Sequence, residues 1–320
     1  MRIAILYDDV ASRADATPDA RGVLEAVEAV QLALRDLGHA PVRVPVGPSL
    51  DDWTGRLAEA SVDLVFNLCE GVDGSSAHEA RVAAAVELLG LPMTGSPSET
   101  LALARRKDRV NAILAAAGLP VPVWLPLEPG ESPAGWSWFP AIVKPVAEDA
   151  SVGITQRSVA GDPAGLAEAV AEAQRRGPIL VQEFLDGREL VVGIVGDTVL
   201  PVAEIDFAAL PGGAWPIVTY DAKWAPGSVD DLGTVPRCPA PVDEATRQAA
   251  IRLAGAAWHL VGGRGYGRVD LRADRDGRLH VLEVNPNPDL APSAGLTRMA
   301  AANGWGYTDL VDRIVREALR

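Results

Sequence analysis

Only three lysines, Lys107, Lys144 and Lys223, stand among the 29 basic residues of this 320-residue chain; the rest are arginines. A lysine ammonium is a compact point charge that meets a single phosphate oxygen, which a planar guanidinium fork does not imitate. A sequence that writes nearly all its positive charge as Arg, yet keeps Lys at three separated points, marks those points for a phosphate-like anion. Lys144 ends the apolar run Phe139-Pro140-Ala141-Ile142-Val143 and is followed at once by Pro145. Lys107 opens a helix-like stretch, and Lys223 closes Thr219-Tyr220-Asp221-Ala222.

A second chemical cluster lies near the C-terminus. Residues 266–272 and 279–285 both alternate apolar with polar side chains, the period of a strand, and Ala273-Asp274-Arg275-Asp276-Gly277-Arg278 between them is turn chemistry. An antiparallel hairpin centred on Asp276-Gly277 places Asp270 opposite Glu283 and Arg268 opposite Asn285. Carboxylates opposed across a ladder repel unless a cation sits between them. Two carboxylates and an amide carbonyl are hard oxygen donors of the kind Mg²⁺ takes, with phosphate oxygens and water completing the octahedron. Asp270, Glu283 and Asn285 are therefore candidate metal ligands.

These groups need a scaffold. The length suits two or three α/β lobes, and an apolar content of 48% with mean hydropathy +0.11 describes a globular chain. No apolar run reaches the 18 or so residues of a membrane span. A formal charge of −14 without a basic patch argues against a nucleic-acid partner. Cys69 and Cys238 are isolated, which fits a reducing cytoplasm, and the four histidines lack zinc spacing. The first hundred residues read β-α-β-α, implying a parallel sheet with helices on its faces. A helix over 98–118 then carries Lys107. Proline punctuation leads to a strand at 139–144, and the loop 145–153 lacks apolar periodicity and reads as mobile. Gly262 to Gly267 leaves a helix and enters a strand, so it is a tight connection and not a phosphate cradle.

Taken in order, the motifs resemble the ATP-grasp superfamily, most closely the D-alanine–D-alanine ligases and their relatives. The carriers are Phe66-Asn67-Leu68 with Glu70-Gly71, Gly90-Leu91-Pro92-Met93-Thr94-Gly95-Ser96, Val143-Lys144-Pro145 and Ser151-Val152-Gly153. They continue in Glu189 after Asp186-Gly187, Tyr220-Asp221-Ala222-Lys223, Gly267-Arg268-Val269-Asp270 and Leu282-Glu283-Val284-Asn285-Pro286. The resemblance implies an N-terminal parallel α/β lobe (1–97), a small central α+β lobe (98–182) and a C-terminal α+β lobe (183–320). ATP would lie between the last two. Lys107, Lys144 and Lys223 would hold phosphates, Gln182, Glu183, Phe184 and Leu185 would form the adenine hinge, and Glu189 would bond the ribose. Asp270, Glu283 and Asn285 would hold two Mg²⁺, for which Mn²⁺ can substitute. Arg268, Lys223 and Ser151 would be the catalytic set for an acyl-phosphate route, joining a small amino-acid-like carboxylate to an amine. A homodimer is also compatible with the resemblance.

The substrate end departs from the family pattern. A family Glu, Ser and Tyr that fix the first substrate and its loop correspond to Asp19, Ala150 and Trp224. Asp289 stands where the family has an oxyanion-hole glycine, and Ser293 neighbours the Ala294 that replaces a carboxylate-binding serine. The substrate-binding set is thus expected to include Asp19, Glu70, Glu79, Trp224, Asp289 and Ser293. These departures lead to the expectation of a dipeptide or related amide other than D-alanyl-D-alanine, with D-alanyl-D-alanine itself as the alternative product.

Overall fold

The computed structural model describes residues 1–13 and 16–320, the side chain of Asp19 excepted. Strands β1 (Arg2–Asp8), β2 (Ala40–Val46) and β3 (Leu64–Asn67) form a parallel sheet in the order β2-β1-β3. Helices α1 (Pro18–Asp36) and α2 (Leu50–Ala60) make the crossovers. The middle of β1, Ile3 to Leu6, is an unbroken apolar run because both of its faces are covered. Ile3 and Ile5 pack with Val27, Val30 and Leu34 of α1, and Ala4 and Leu6 pack with Trp53 and Leu57 of α2. The expected β-α alternation is present, and α3 (Glu79–Leu88) closes this layer.

The single helix expected over 98–118 is two, α4 (Ser98–Ala104) and α5 (Lys107–Ala116). Arg106 breaks the run with φ −94° and ψ 84°. Its guanidinium grips both oxygens of Asp108, at 2.9 and 2.7 Å, across that turn. Lys107 thereby becomes the first residue of α5. This helix buries Val110 and Leu114 in the core of the C-terminal sheet.

Strands β4 (Trp124–Leu127), β5 (Ala141–Pro145), β6 (Val159–Ala160) and β7 (Ile179–Glu183) form an antiparallel sheet in the order β4-β7-β5-β6. Helix α6 (Pro163–Ala173) covers it with Leu166, Ala169 and Val170. Asp162 caps α6 by accepting from the Gly165 N–H at 2.8 Å, and Pro163 starts it with a pre-set φ.

The largest sheet contains β8 (Glu189–Val195), β9 (Thr198–Val199), β10 (Ala203–Asp206), β11 (Val235–Arg237), β12 (Tyr266–Ala273) and β13 (Leu279–Asn285). Its order is β11-β10-β8-β12-β13, with β9 on β8. Short helices α7 (Tyr220–Trp224) and α8 (Val229–Gly233) lie in a long excursion after β10. Helix α9 (Glu244–Leu260) lays Ala250, Ala254 and Ala257 on the sheet, and these small side chains let it approach closely. Helices α10 (Gly295–Ala302) and α11 (Tyr307–Glu317) pack Leu296, Met299, Leu310 and Ile314 into the same core as α1. The first and last lobes therefore share a core, whereas the central sheet has its own. The glycine-rich segment is the tight connection expected: Gly265 has φ +67°, and a Cβ there would fall 3.0 Å from the Gly95 backbone. Among the described residues, no helix is long and apolar enough to cross a membrane.

Candidate active site

Arg268 lies opposite Asn285 and Asp270 opposite Glu283 as expected, but the turn alone would not pair them so, because nearer the turn Leu271 pairs with Val281 and Arg272 with His280, one residue out of that register. A β-bulge follows Asp270 and slips the ladder by one residue, a feature without a sequence signature here. The opposed carboxylates do not face each other unpaired. Arg268 grips Asp270 with Nε and Nη2 at 2.8 and 3.0 Å, and Lys107 meets Glu283 at 2.9 Å. The Lys107 ammonium also donates to Asp149 Oδ1 at 2.8 Å and to the Glu148 carbonyl at 2.7 Å. Burial lowers the Lys107 pKa, but Asp149 and Glu283 outweigh it and the net shift is upward. Burial pushes the Asp149 carboxyl up. Burial also acts to raise Glu283, but Lys107, a hydrogen bond from Asp149 and Lys144 together hold it well below the carboxylate range.

Burial pushes Lys144, half-buried on β5, down to about 8, with Glu283 opposing and Lys107 reinforcing the shift. Lys223 on α7 is exposed by surface area; crowding first and Arg268 second lower its pKa, a shift its contact with solvent screens. Arg268 is held charged by Asp270. All three lysines and Arg268 feel the Glu283 carboxylate, so four cations surround one acidic hairpin.

The loop read as mobile is tied to all three lobes. Ser76 donates to Glu148 Oε2 at 3.2 Å, Ser151 Oγ to the Val218 carbonyl at 2.9 Å, and the Trp224 indole N–H to the Ala150 carbonyl at 3.1 Å. Ala150 and Ser151 both lie in the left-handed region, at φ 54° and 60°, a backbone conformation that non-glycine residues adopt under constraint. Trp224 also packs on α1, where a Cβ at Gly22 would fall 2.7 Å from the indole.

At the far end of the cleft, Gln182 is buried with Nε2 lacking a partner, while Phe184 and Leu185 are also buried. Glu183 accepts from the Val123 N–H at 3.4 Å. Glu189 faces Arg272 across β8 and β12 and receives its Nη1 at 2.8 Å. Arg272 stacks over Phe184 at 5.0 Å and leaves Nε unpaired. Arg272 extends the alternation of Arg268 and Asp270 along β12, so strand period alone puts it on the same face.

The expected substrate residues scatter more widely. Asp19 has its side chain outside the described residues, and Glu70 is exposed three residues after β3. Glu79 is 8% exposed and accepts from Asn287 Nδ2 at 3.0 Å. Asp289 accepts from the Ala291 N–H at 2.8 Å, and burial raises its pKa. Ser293 is exposed two residues before α10, where a Cβ on Gly295 would lie 3.8 Å from Arg268 Nη1. Asn287 and Asp149 were not singled out from sequence, because only the fold brings their partners from other lobes.

Among the described residues, no three His, Cys, Asp or Glu side chains form a ready metal cage. The donor set still fits Mg²⁺, which is held by one or two carboxylates together with substrate phosphates and water, not by an all-protein cage. Two open cavities of about 560 and 480 Å³ lie elsewhere, around Leu119, Pro120 and Arg278. They contain none of these ionisable groups, and chemistry places the site in the cleft.

Three lobes, an antiparallel central sheet and a charged cleft on the C-terminal sheet define an ATP-grasp protein. The crystal structure of D-alanine–D-alanine ligase from Bacillus anthracis complexed with ATP superposes with a TM-score of 0.79. That match covers 100% of this chain and 98% of that one at 20% identity, a likeness of fold. The sequence model described as D-ala D-ala ligase C-terminus matches residues 113–316. The D-alanine–D-alanine ligase of Gluconobacter oxydans is 33% identical over 322 residues, covering 100% of this chain and 99% of that protein. That of Gloeobacter violaceus is 32% identical over 327 residues, covering both chains fully. The chain belongs to the D-alanine–D-alanine ligase family, whose members are ATP-dependent ligases.

These relatives overturn the expectation of a product other than D-alanyl-D-alanine. The geometry gives a reason the departures misled. The hydroxyl missing at Ala150 is not needed to hold the loop, because Trp224 bonds the backbone carbonyl of that residue.

Proposed function

We propose that the protein joins two D-alanine molecules at the expense of ATP. The observation that supports this most is full-length relatedness to D-alanine–D-alanine ligases, in a chain whose cleft sets four cations around Asp270 and Glu283. The three sheets fall within 1–97, 98–183 and 184–320, and we assign the lobes close to the boundaries read from sequence. ATP would sit between the central and C-terminal sheets. Gln182, Glu183, Phe184 and Leu185 would flank adenine, the orphaned Gln182 amide supplying an unused donor. Glu189, held by Arg272, would accept from the ribose hydroxyls. Lys107, Lys144 and Lys223 would meet phosphate oxygens, which requires Lys107 to exchange its Asp149 contact for phosphate.

Asp270, Glu283 and Asn285 would hold Mg²⁺, which neutralises charge on the phosphates when bound. The carboxylate oxygen of the first D-alanine attacks the terminal phosphorus and ADP departs. The amine of the second attacks the resulting acyl carbon and inorganic phosphate departs. Arg268 faces the developing oxyanion, and the first turn of α10 beside it suits a substrate carboxylate. Ser151 and Trp224 keep the loop over the cleft and water away from the acyl phosphate. Glu70, Asp289 and Ser293 would border the amino-acid end, and the side chain of Asp19, assigned there from sequence, lies outside the described residues.

The test is ADP release from ATP, Mg²⁺ and D-alanine, with mass spectrometry of the product. D-alanyl-D-alanine with one ADP per dipeptide is expected. Release that depends on another amino acid and ignores D-alanine would refute the proposal.

A further inference from the structure

The buried acid Glu79 has no role in that chemistry, yet it sits on a hydrogen-bonded path from the N-terminal lobe to the acidic hairpin. Asn287 is its partner. The backbone N–H of Asn287 donates to Asn285 Oδ1 at 3.0 Å, which fixes the orientation of that amide and leaves the other oxygen lone pair for the cleft. The Asn287 side chain is anchored on both its atoms. Nδ2 donates to Glu79 Oε1 at 3.0 Å and lies 3.5 Å from the Cys69 carbonyl, while Oδ1 accepts from the Tyr266 hydroxyl at 3.1 Å. Pro286 and Pro288 flank Asn287 and restrict the backbone on either side. Displacing the Asn287 side chain therefore moves its N–H, and with it the Asn285 amide.

We propose that Glu79 and Asn287 form a clamp between lobes that orients the Asn285 amide for the metal, Glu79 being a positioning residue and not a reader of the substrate ammonium. The inference rests on the proposed assignment of Asn285 as a metal ligand. Burial supports it: Glu79 is pushed well above the carboxylate range, the Asn287 hydrogen bond opposing and Asp149 and Glu70 adding to the rise. A carboxyl whose ionised form burial disfavours attracts an ammonium less than an exposed carboxylate does, yet its oxygen still accepts from the Asn287 amide. Partners one step removed from a metal typically change its affinity by about 10–100-fold.

The experiment measures ADP binding by calorimetry with and without Mg²⁺, alongside D-alanine kinetics, for Glu79→Ala, Glu79→Gln, Asn287→Ala and the double alanine variant. The alanine variants are expected to lose about tenfold of the Mg²⁺-dependent gain in ADP affinity. Metal-free ADP binding should stay unchanged, and kcat should fall while KM for D-alanine holds. Glu79→Gln, neutral and equally able to accept, should restore the Mg²⁺ gain. The double variant should be no worse than either single one. A raised KM for D-alanine in Glu79→Gln with the Mg²⁺ gain intact would overturn the clamp in favour of a charged reader. An unaltered Mg²⁺ gain in Asn287→Ala would overturn it too, and that variant decides the matter if Glu79→Ala does not fold. A wild-type protein inert towards D-alanine would count against the proposed reaction alone, because ADP and Mg²⁺ binding still judge the clamp.

Discussion

Lys144 shows how a buried cation can report on its own ligand. Its pKa of about 8 in the folded chain lies below the ordinary 10.5, with burial as the leading cause. Below pH 8 the ammonium is charged in the folded and unfolded states alike, and the fold bears the penalty of burying it. That penalty is relieved as pH rises from about 8 towards 10.5. A phosphate beside Lys144 favours the ammonium, so ADP binding above pH 8 should take up a proton and weaken as pH rises. Calorimetry in buffers of different ionisation enthalpy checks this, and Lys144→Met should abolish the uptake. Glu283 shows the opposite case, an acid kept ionised by Lys107 against burial. Glu283→Gln should reduce Mg²⁺-dependent turnover by about a hundredfold or more. Its circular dichroism should be unchanged, since Lys107 keeps Asp149 as a counter-charge.

At the scale of the element, β12 holds Arg268 and Asp270 in place because α9 packs tightly behind it. A Cβ on Gly267 would fall 2.2 Å from the Trp258 ring and 3.0 Å from the Asn285 carbonyl. Trp258 is 8% exposed and has little room to retreat. Gly267→Ala should therefore cost about 1–3 kcal/mol in urea unfolding, as overpacking does. Gly255→Ala, within α9 and with nothing within 4 Å of the added methyl, should instead be neutral or stabilising by up to about 1 kcal/mol. Equal effects of the two substitutions would show that close packing behind β12 is not what holds the strand. The alternation of 266–272 and 279–285 marked the two strands and their antiparallel pairing in the sequence, but not the one-residue change of register between the turn and Asp270. The bulge after Asp270 was not legible, since it is a property of the ladder and not of either strand alone.

For the whole molecule, the distribution of cores sets which parts open together. The first and last lobes share apolar side chains of α1, α10 and α11, whereas Leu127, Val143, Leu166 and Val181 form a separate core in the central sheet. Native-state hydrogen exchange should show β5 and β7 opening at lower free energy than β1 and β12. ADP with Mg²⁺, gripping both sides of the cleft, should suppress that opening. At a hundredfold excess over Kd the ligand should stabilise the chain by about 2.7 kcal/mol, and EDTA should remove most of the gain. Exchange that proceeds at one common free energy in all sheets would refute separate opening of the central lobe.

Residue types and local periods determined the strands and helices, the antiparallel pairing of 266–272 with 279–285, and the three lysines as the cations to watch. They did so because strand alternation and turn chemistry act over a few residues, and the chain states them directly. The split of α4 from α5 lay at the limit of that reach, since it turns on one guanidinium folding back to Asp108. Only the tertiary structure decided that Lys107 meets Asp149 and Glu283, that Trp224 bonds the Ala150 backbone, and that Glu79 faces Asn287. The contacts of Lys107 with Glu283, Trp224 with Ala150 and Glu79 with Asn287 cross lobe boundaries, and even Lys107 and Asp149, both in the central lobe, stand 42 positions apart, against 208 for Glu79 and Asn287. Burial there also shifts the carboxyl groups, upward at Glu79 and Asp149, and burial is fixed by packing, so the sequence named the acids while the fold determined the direction in which each is shifted.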